Sequence, residues 1–551
     1  MRRRRAKHLW LILLVVGMCG CSSSPEGGQK AEEKTPAREP VAAKAKGAAS
    51  GTLQQAQEAL AENRYPQAME YYLAQQLDQK PDQLLERARL LAEAGEFYQH
   101  LALFAAELRR ELHRLWEERQ QEGEMRSSML VCFAAMGAYE QGAFPLSAAM
   151  LERIQPEQVP QGLAKRAQVA IGASYVRMGR AEEGRRLIQE AAASEGADPG
   201  LALMSYRTQV EIGEPPPGAR EMPGEGMEMA DLGLRNAALV DLAWLRLSEG
   251  KVREAYQVLQ SYQPHQPLAE EEIQSQGQAE SFKRKHYGIA FIPLLAHVCY
   301  QLAAADLERL TGEPGDRGLY AQYLLGKALQ GAGQWPLAEV AYARFIAGLE
   351  KQPAAGYLQY LGRLAQAYRG RALAEQGQAS QATKIWHGLG EGEGWADLAV
   401  RFTLLEEQCK VAGGQPDFRA LDLAYDRLCR VRPQQLGDEE YDYYHHAGMQ
   451  AAQLLVRGPK ERRDQAVEIL ERVHDKSSGY DPQKVEPSFL LNLARAYYLD
   501  TKIQWSLGKK IIGALAAQDP ACIPALEIYG YLLADFGGDA PEHTVPGSGG
   551  Q

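Results

Sequence analysis

Sustained alternation of apolar and polar residues, the mark of a half-buried strand, is missing throughout this 551-residue chain. That leaves helices as its regular structure. The short patterns that catalysis or nucleotide binding would need are missing too: there is no Gly-x-Ser-x-Gly, no Gly-x-x-x-x-Gly-Lys-Ser/Thr and no His-Glu-x-x-His. His445 and His446 are adjacent, so on a helix their side chains point about 100° apart and joint ligation of one metal is awkward. His387 and His474 stand alone. The reading is therefore no catalytic residue, no cofactor and no metal. An excess of positive charge is also absent: 61 Lys and Arg face 71 Asp and Glu, which gives no general attraction to nucleic acid or anionic lipid. Long apolar runs are scarce. Leu9 to Met18 is ten residues and Tyr287 to Leu302 is 16, the latter interrupted by Pro293 and His297; both are short for a membrane span. The second is expected to be a buried core helix.

The first apolar run has a different use. Arg2 to Arg5 and Lys7 precede it, and it ends at Met18-Cys19-Gly20-Cys21, a basic segment and short apolar core of the kind that directs export. The end resembles the lipobox of bacterial lipoprotein precursors, a small residue before a cysteine whose thiol is acylated before cleavage. Cys21, preceded by Gly20, is the expected lipidation site, and Cys19, preceded by the bulkier Met18, is the alternative. Several acyl chains hold firmly, each buried methylene adding about 0.8 kcal/mol, so the resemblance implies a chain anchored to the bilayer without spanning it. Loss of residues 1–20, with five basic residues and no acidic one, moves the net charge from −10 to −15. Residues 21–51, poor in large apolar side chains and rich in Pro, Ala, Gly, Lys and Glu, read as a disordered linker, about 30 Å in root-mean-square span and about 100 Å when fully extended. Residues 537–551 have the same character.

Between these ends one theme recurs: two Ala-, Leu- and Tyr-rich stretches with apolar residues three and four apart, a break at glycine, and often a proline. The clearest copy is Leu319 to Pro353, where Gly326 precedes Ala338 by twelve places, Gly333 marks the turn, and Tyr342 and Phe345 follow. Weaker copies use Gly172, Gly179 and Gly184; Ala243, Gly250 and Ala255; Gly370, Gly377 and Trp386; and, near the start, Ala88, Gly95 and Phe97. This pattern resembles the tetratricopeptide repeat, in which helix pairs of about 34 residues stack into a superhelix. Small residues twelve apart are expected where the paired helices cross closest. The fold class implied is all-α, a superhelical array of antiparallel helix hairpins with degenerate repeats. Its expected layout is an N-terminal array over 52–212, a Pro/Gly-rich loop or hinge over 213–233, and a C-terminal array over 234–536.

Five cysteines follow the lipobox: Cys132, Cys299, Cys409, Cys429 and Cys522. Across a turn at Gly413 and Gly414, Cys409 would face Leu421, which leaves Cys429 about 12 Å further along, too far for a disulfide. All five are expected to be buried thiols. In the tetratricopeptide family the first helix of each pair lines a concave face that binds a partner's peptide or helix. Carried onto this chain, the resemblance puts Tyr320, Tyr323, Lys327 and Gln330 on that face, with Arg371 next and Arg166 and Arg177 in the earlier array. Aromatic and cationic residues together suit peptide carbonyls and acidic side chains. The expected protein is thus a lipid-anchored scaffold or assembly factor of the bacterial envelope, with a protein partner. Ser22 after Cys21 fits release to the outer membrane, facing the periplasm. A glycan-binding lipoprotein similar to the SusD family and a regulator of cell-wall synthesis are the alternatives.

Overall fold

A computed structural model describes residues 55–74, 80–121, 144–152, 161–193, 199–211, 232–261, 291–351, 356–412, 416–474, 485–497 and 502–529, apart from gaps of one or two positions. The expected signal, linker and C-terminal tail, Cys21, Cys132 and most of 213–233 lie outside them. All regular structure among the described residues is helical. The helices are α1 (Tyr65–Ala74), α2 (Pro81–Gln121), α3 (Phe144–Leu151), α4 (Gln161–Arg177), α5 (Ala181–Ala193), α6 (Pro199–Glu211), α7 (Leu232–Ser248), α8 (Val252–Gln260), α9 (Phe291–Glu308), α10 (Asp316–Gly331), α11 (Trp335–Lys351), α12 (Gly356–Glu375), α13 (Ala379–Trp386), α14 (Trp395–Ala412), α15 (Phe418–Cys429), α16 (Asp438–Leu455), α17 (Lys460–Val473), α18 (Pro487–Tyr497) and α19 (Lys502–Gln518).

Antiparallel hairpins are made one after another, and the turn chemistry shows why. Four of them, α4/α5, α7/α8, α10/α11 and α12/α13, turn at Gly179, Gly250, Gly333 and Gly377, all with φ between 69° and 87°. In each the glycine N–H donates to the carbonyl three residues back and the next N–H to the carbonyl five back, as in Gly250 to Leu247 at 3.0 Å and Lys251 to Arg246 at 2.8 Å. This is the Schellman ending, whose left-handed position glycine fills without a Cβ penalty.

Small residues then let the paired helices close. Gly172 and Gly184 put the backbones of α4 and α5 against each other, Gly326 of α10 lies under the Tyr342 ring of α11, and Gly370 of α12 lies under Trp386 of α13. The Trp386 Nε1–H donates to the Ala367 carbonyl at 2.9 Å. The spacing of Gly326 and Ala338 is as expected, but the side chain that fills the glycine's notch is Tyr342, one turn beyond Ala338. In the C-terminal array the first helices α10, α12, α14, α16 and α18 pack on one another in succession and form an inner layer; their partners α11, α13, α15, α17 and α19 form the outer one. The array of hairpins is the all-α architecture that the resemblance implied.

One element does not follow the hairpin rule. The expected copy around Ala88, Gly95 and Phe97 is a single helix, α2, of 41 residues, about 60 Å long. Gly95 is no turn. It lies against one part of the Tyr300 ring of α9, and Gly331 of α10 lies against another, so a tyrosine is held between two glycine notches. α2 packs along α9 and also touches α10 and α18, helices of the other half of the sequence. Leu84, Ala88, Leu91, Phe97, Tyr98, Leu101, Phe104 and Leu108 are all buried. Its ties are long-range: Arg87 makes a two-pronged pair with Asp306 of α9 at 2.6 and 2.7 Å, the Tyr98 hydroxyl donates to Asp519 at 2.9 Å, and Glu107 holds Arg495 of α18 at 2.7 Å.

The helix expected over Tyr287 to Leu302 runs from Phe291 to Glu308 and is buried against α2; Pro293 sits in its first turn, where a missing N–H is harmless. No helix among the described residues is long and apolar enough to cross a membrane. Cys299, Cys409 and Cys522 are buried free thiols, whereas Cys429 is only half-buried, because it closes α15 at the array's outer layer.

Candidate inner-face site

The polar side chains of α2 are not scattered. Arg89, Glu93, Glu96 and His100 follow one another at intervals of four, three and four, which puts them on one strip of an otherwise embedded helix. That strip looks toward the inner layer of the C-terminal array. The Lys327 ammonium of α10 donates to Glu96 at 2.9 Å, and both side chains keep part of their surface, 31% and 38%, although charges from α2, α14 and α16 bear on them. Both are thus part-exposed side chains between α2 and the inner layer. Burial alone would push the Glu96 carboxyl up, but Lys327 and then His100 overcome it and hold it at about 2; Lys327 is raised in turn by Glu96 against its own burial.

Tyrosines lie beside this pair, Tyr320 and Tyr323 close enough to feel the Lys327 charge. Tyr320 and Tyr323 of α10 stack with centroids 6.5 Å apart, Tyr357 and Tyr360 of α12 lie at 6.4 Å, and Tyr360 meets Tyr443 of α16 at 4.6 Å. Tyr357 is 52% exposed. The Tyr360 hydroxyl and His446 Nδ1 share a hydrogen bond of 2.8 Å. Burial keeps the imidazoles of His100 and His446 neutral, each lowered to about 4.

Deeper in, α14 supplies two acids. Lys410 bridges Glu406 and Glu407 at 2.7 and 2.8 Å, and Arg371 of α12 and Gln330 of α10 both reach Glu407, at 3.1 and 3.3 Å. Burial would raise Glu406, but Lys410 and Arg457 hold it at about 2. The Arg371 guanidinium also lies over the Trp335 ring at 4.9 Å.

Of the residues expected on the concave face, Tyr320, Tyr323, Lys327, Gln330 and Arg371 are thus brought together on α10 and α12. Their company differs from the expectation. Lys327 is paired with Glu96 and Arg371 with Glu407, so the two cations meant for an acidic partner are answered by this chain's own carboxylates. Tyr323 is buried, 5% exposed. Arg177 closes α4, in the earlier hairpins, and the side chain of Arg166 lies outside the described residues. The sequence reading passed over Glu93, Glu96, His100, Tyr357, Tyr360, Tyr443 and His446. The strip on α2 carried a signal, its spacing of three and four, but only the fold shows what it faces. Among the described residues no three His, Cys, Asp or Glu gather to hold a metal ion.

No family model matches the chain, and no curated protein does. Among solved structures, a chain of the crystal structure of the APC/C hetero-tetramer Cut9-Hcn1 aligns with 86% of this chain and 95% of its own at 10% identity and a TM-score of 0.20. A likeness that distant bears on neither shape nor function.

Proposed function

We propose that this protein is a lipid-anchored scaffold of the bacterial envelope, acylated at Cys21, whose inner face around α2 and α10 to α18 holds a partner protein. The observation that carries the binding role is the tyrosine ledge: Tyr320, Tyr357 and Tyr443, on the first helices α10, α12 and α16, all keep exposed surface, and clustered, partly exposed aromatic side chains are what protein partners bury. The anchor rests on Met1 to Ser22, and the periplasmic outer-membrane address rests on Ser22. Secretion, pilus, polysaccharide-export and outer-membrane assembly machines are the settings in which such a scaffold would serve.

Two measurements test the reading. Cys21→Ala should abolish labelling by a palmitate analogue, and equal labelling of both forms removes the anchor. A photo-crosslinking benzoylphenylalanine in place of Tyr357 should trap a second polypeptide in cells, while the same group at Leu423, on α15 of the outer layer, should not. The reverse order removes the inner face as the binding site.

A further inference from the structure

The charge around the tyrosine ledge does not balance. From α2 come Arg89, Glu93, Glu96 and His100; from α10, Lys327; from α16, Asp442 and His446; and from the approach to α18, Glu486. Lys327 is matched by Glu96 at 2.9 Å, and Arg89 reaches Glu93 only loosely at 3.5 Å. Both histidines are neutral. Asp442 and Glu486 make no ion pair among the described residues, so the mouth carries a surplus of negative charge. Glu486 registers it: although the residue keeps exposed surface, its carboxyl is raised by partial desolvation and then by Glu96 and Glu93, against a hydrogen bond from Ser488, whereas at Glu93 the rise from desolvation and Glu96 is opposed by Arg89 and Lys327.

A second feature, independent of the acids, points to an occupant. Tyr323 is 95% removed from solvent, and its hydroxyl, near enough to Lys327 and Glu96 to feel their charges, makes no hydrogen bond among the described residues. A buried phenol normally finds a partner. Tyr368, 8% exposed, likewise makes no hydrogen bond among the described residues.

Resting on the reading that the inner face holds a partner protein, we propose that the segment it takes is cationic. A lysine or arginine side chain lies across the faces of Tyr357 and Tyr320, its charge comes to rest among Glu93, Glu96 and Glu486, and the free tyrosine hydroxyls accept from its donors. Aromatic faces attract such cations through the ring quadrupole, most strongly where water is thinned out. An acidic segment would meet cations already paired with Glu96 and Glu93 and the further charges of Asp442 and Glu486.

The test uses the full chain and a short fluorescein-labelled peptide alternating lysine with alanine, with its glutamate counterpart, read by fluorescence anisotropy. The lysine peptide should bind and the glutamate peptide should not. Glu93→Gln with Glu486→Gln, and separately Tyr357→Ala, should each weaken the lysine peptide about tenfold, and added salt should weaken it further. All three positions are exposed, and an unchanged melting temperature verifies folding. Glu182→Gln with Glu190→Gln, on the exposed face of α5, should leave binding as it was. Binding of the glutamate peptide, or a loss from the α5 pair as large as from the mouth pair, overturns the proposal. The crosslink from position 357 separates the two levels. If it lands in an acidic stretch of the partner, the cationic segment is wrong and the scaffold stands; if nothing is trapped there while Leu423 traps a partner, the inner-face reading itself falls.

Discussion

The hairpins and α2 are held in opposite ways. Within the array each helix touches its neighbours in sequence, through glycine notches such as Gly326 under Tyr342 and Gly172 against Gly184. α2 is held by groups far off in the chain: Arg87 and Asp306 are 219 positions apart, Glu96 and Lys327 231, Glu107 and Arg495 388. A pure stack of repeats unfolds roughly as a sum of units and nearest-neighbour contacts. A helix that grips α9, α10 and α18 together couples units that stacking alone leaves independent, so this superhelix should lose structure as a whole.

The largest effect should come from breaking the crossing. Arg87→Leu leaves Asp306 charged and unpaired in a site where both side chains are almost fully covered, which should cost about 3–5 kcal/mol. Urea unfolding followed by circular dichroism should also broaden, because the hairpins would be released from one another. Adding Asp306→Leu should recover most of the loss. If the single substitution costs under about 1 kcal/mol, the crossing is not what unites the array.

A smaller effect is expected inside the array. Gly326→Leu drives a side chain into the Tyr342 ring and should cost about 1–3 kcal/mol by overpacking, with the transition staying sharp because α2 is untouched. A broadened transition would mean that α10 and α11, and not α2, carry the coupling.

The smallest effect concerns pH. Burial lifts Asp519 from 3.8 to about 6, against the bonds it accepts from Ala521 N–H and the Tyr98 hydroxyl. A carboxyl raised in the folded state favours folding below its unfolded value and loses that advantage as pH climbs through the folded one. The contribution of this group to stability should therefore fall between about pH 4 and 6 by on the order of 1–3 kcal/mol, against the opposite, rising contribution of His100 and His446, whose folded-state values are lowered to about 4. In Asp519→Asn that component should vanish, so the stability difference between variant and wild type should change by this amount across the window. Chemical denaturation at a series of pH values checks it, and an unchanged slope in the variant would assign the pH dependence elsewhere.

What the sequence made legible divides along the same line. The turns at Gly179, Gly250, Gly333 and Gly377 were readable, because a glycine between two amphipathic stretches has a local cause. So was the face of α10, since the placing of Tyr320 and Lys327 on one side follows from helical spacing. Gly95 was misread because a glycine that ends a helix and one that makes room for a distant ring look alike in sequence. Only Tyr300, 205 positions on, tells them apart. Lys327 was assigned to a partner for the same reason: nothing near it in the chain announces Glu96.

The distance between α2 and its cover also sets a timetable. The ribosome completes Tyr98 long before Asp519, 421 residues later, and at about 5–20 residues per second that interval is about 20–80 s. Throughout it Tyr98 lacks Asp519, and Phe104 lacks the Tyr529 ring that it meets at 6.1 Å. The first long helix to be made is thus among the last to be enclosed, and a chain that loses its final helices should fail near its beginning.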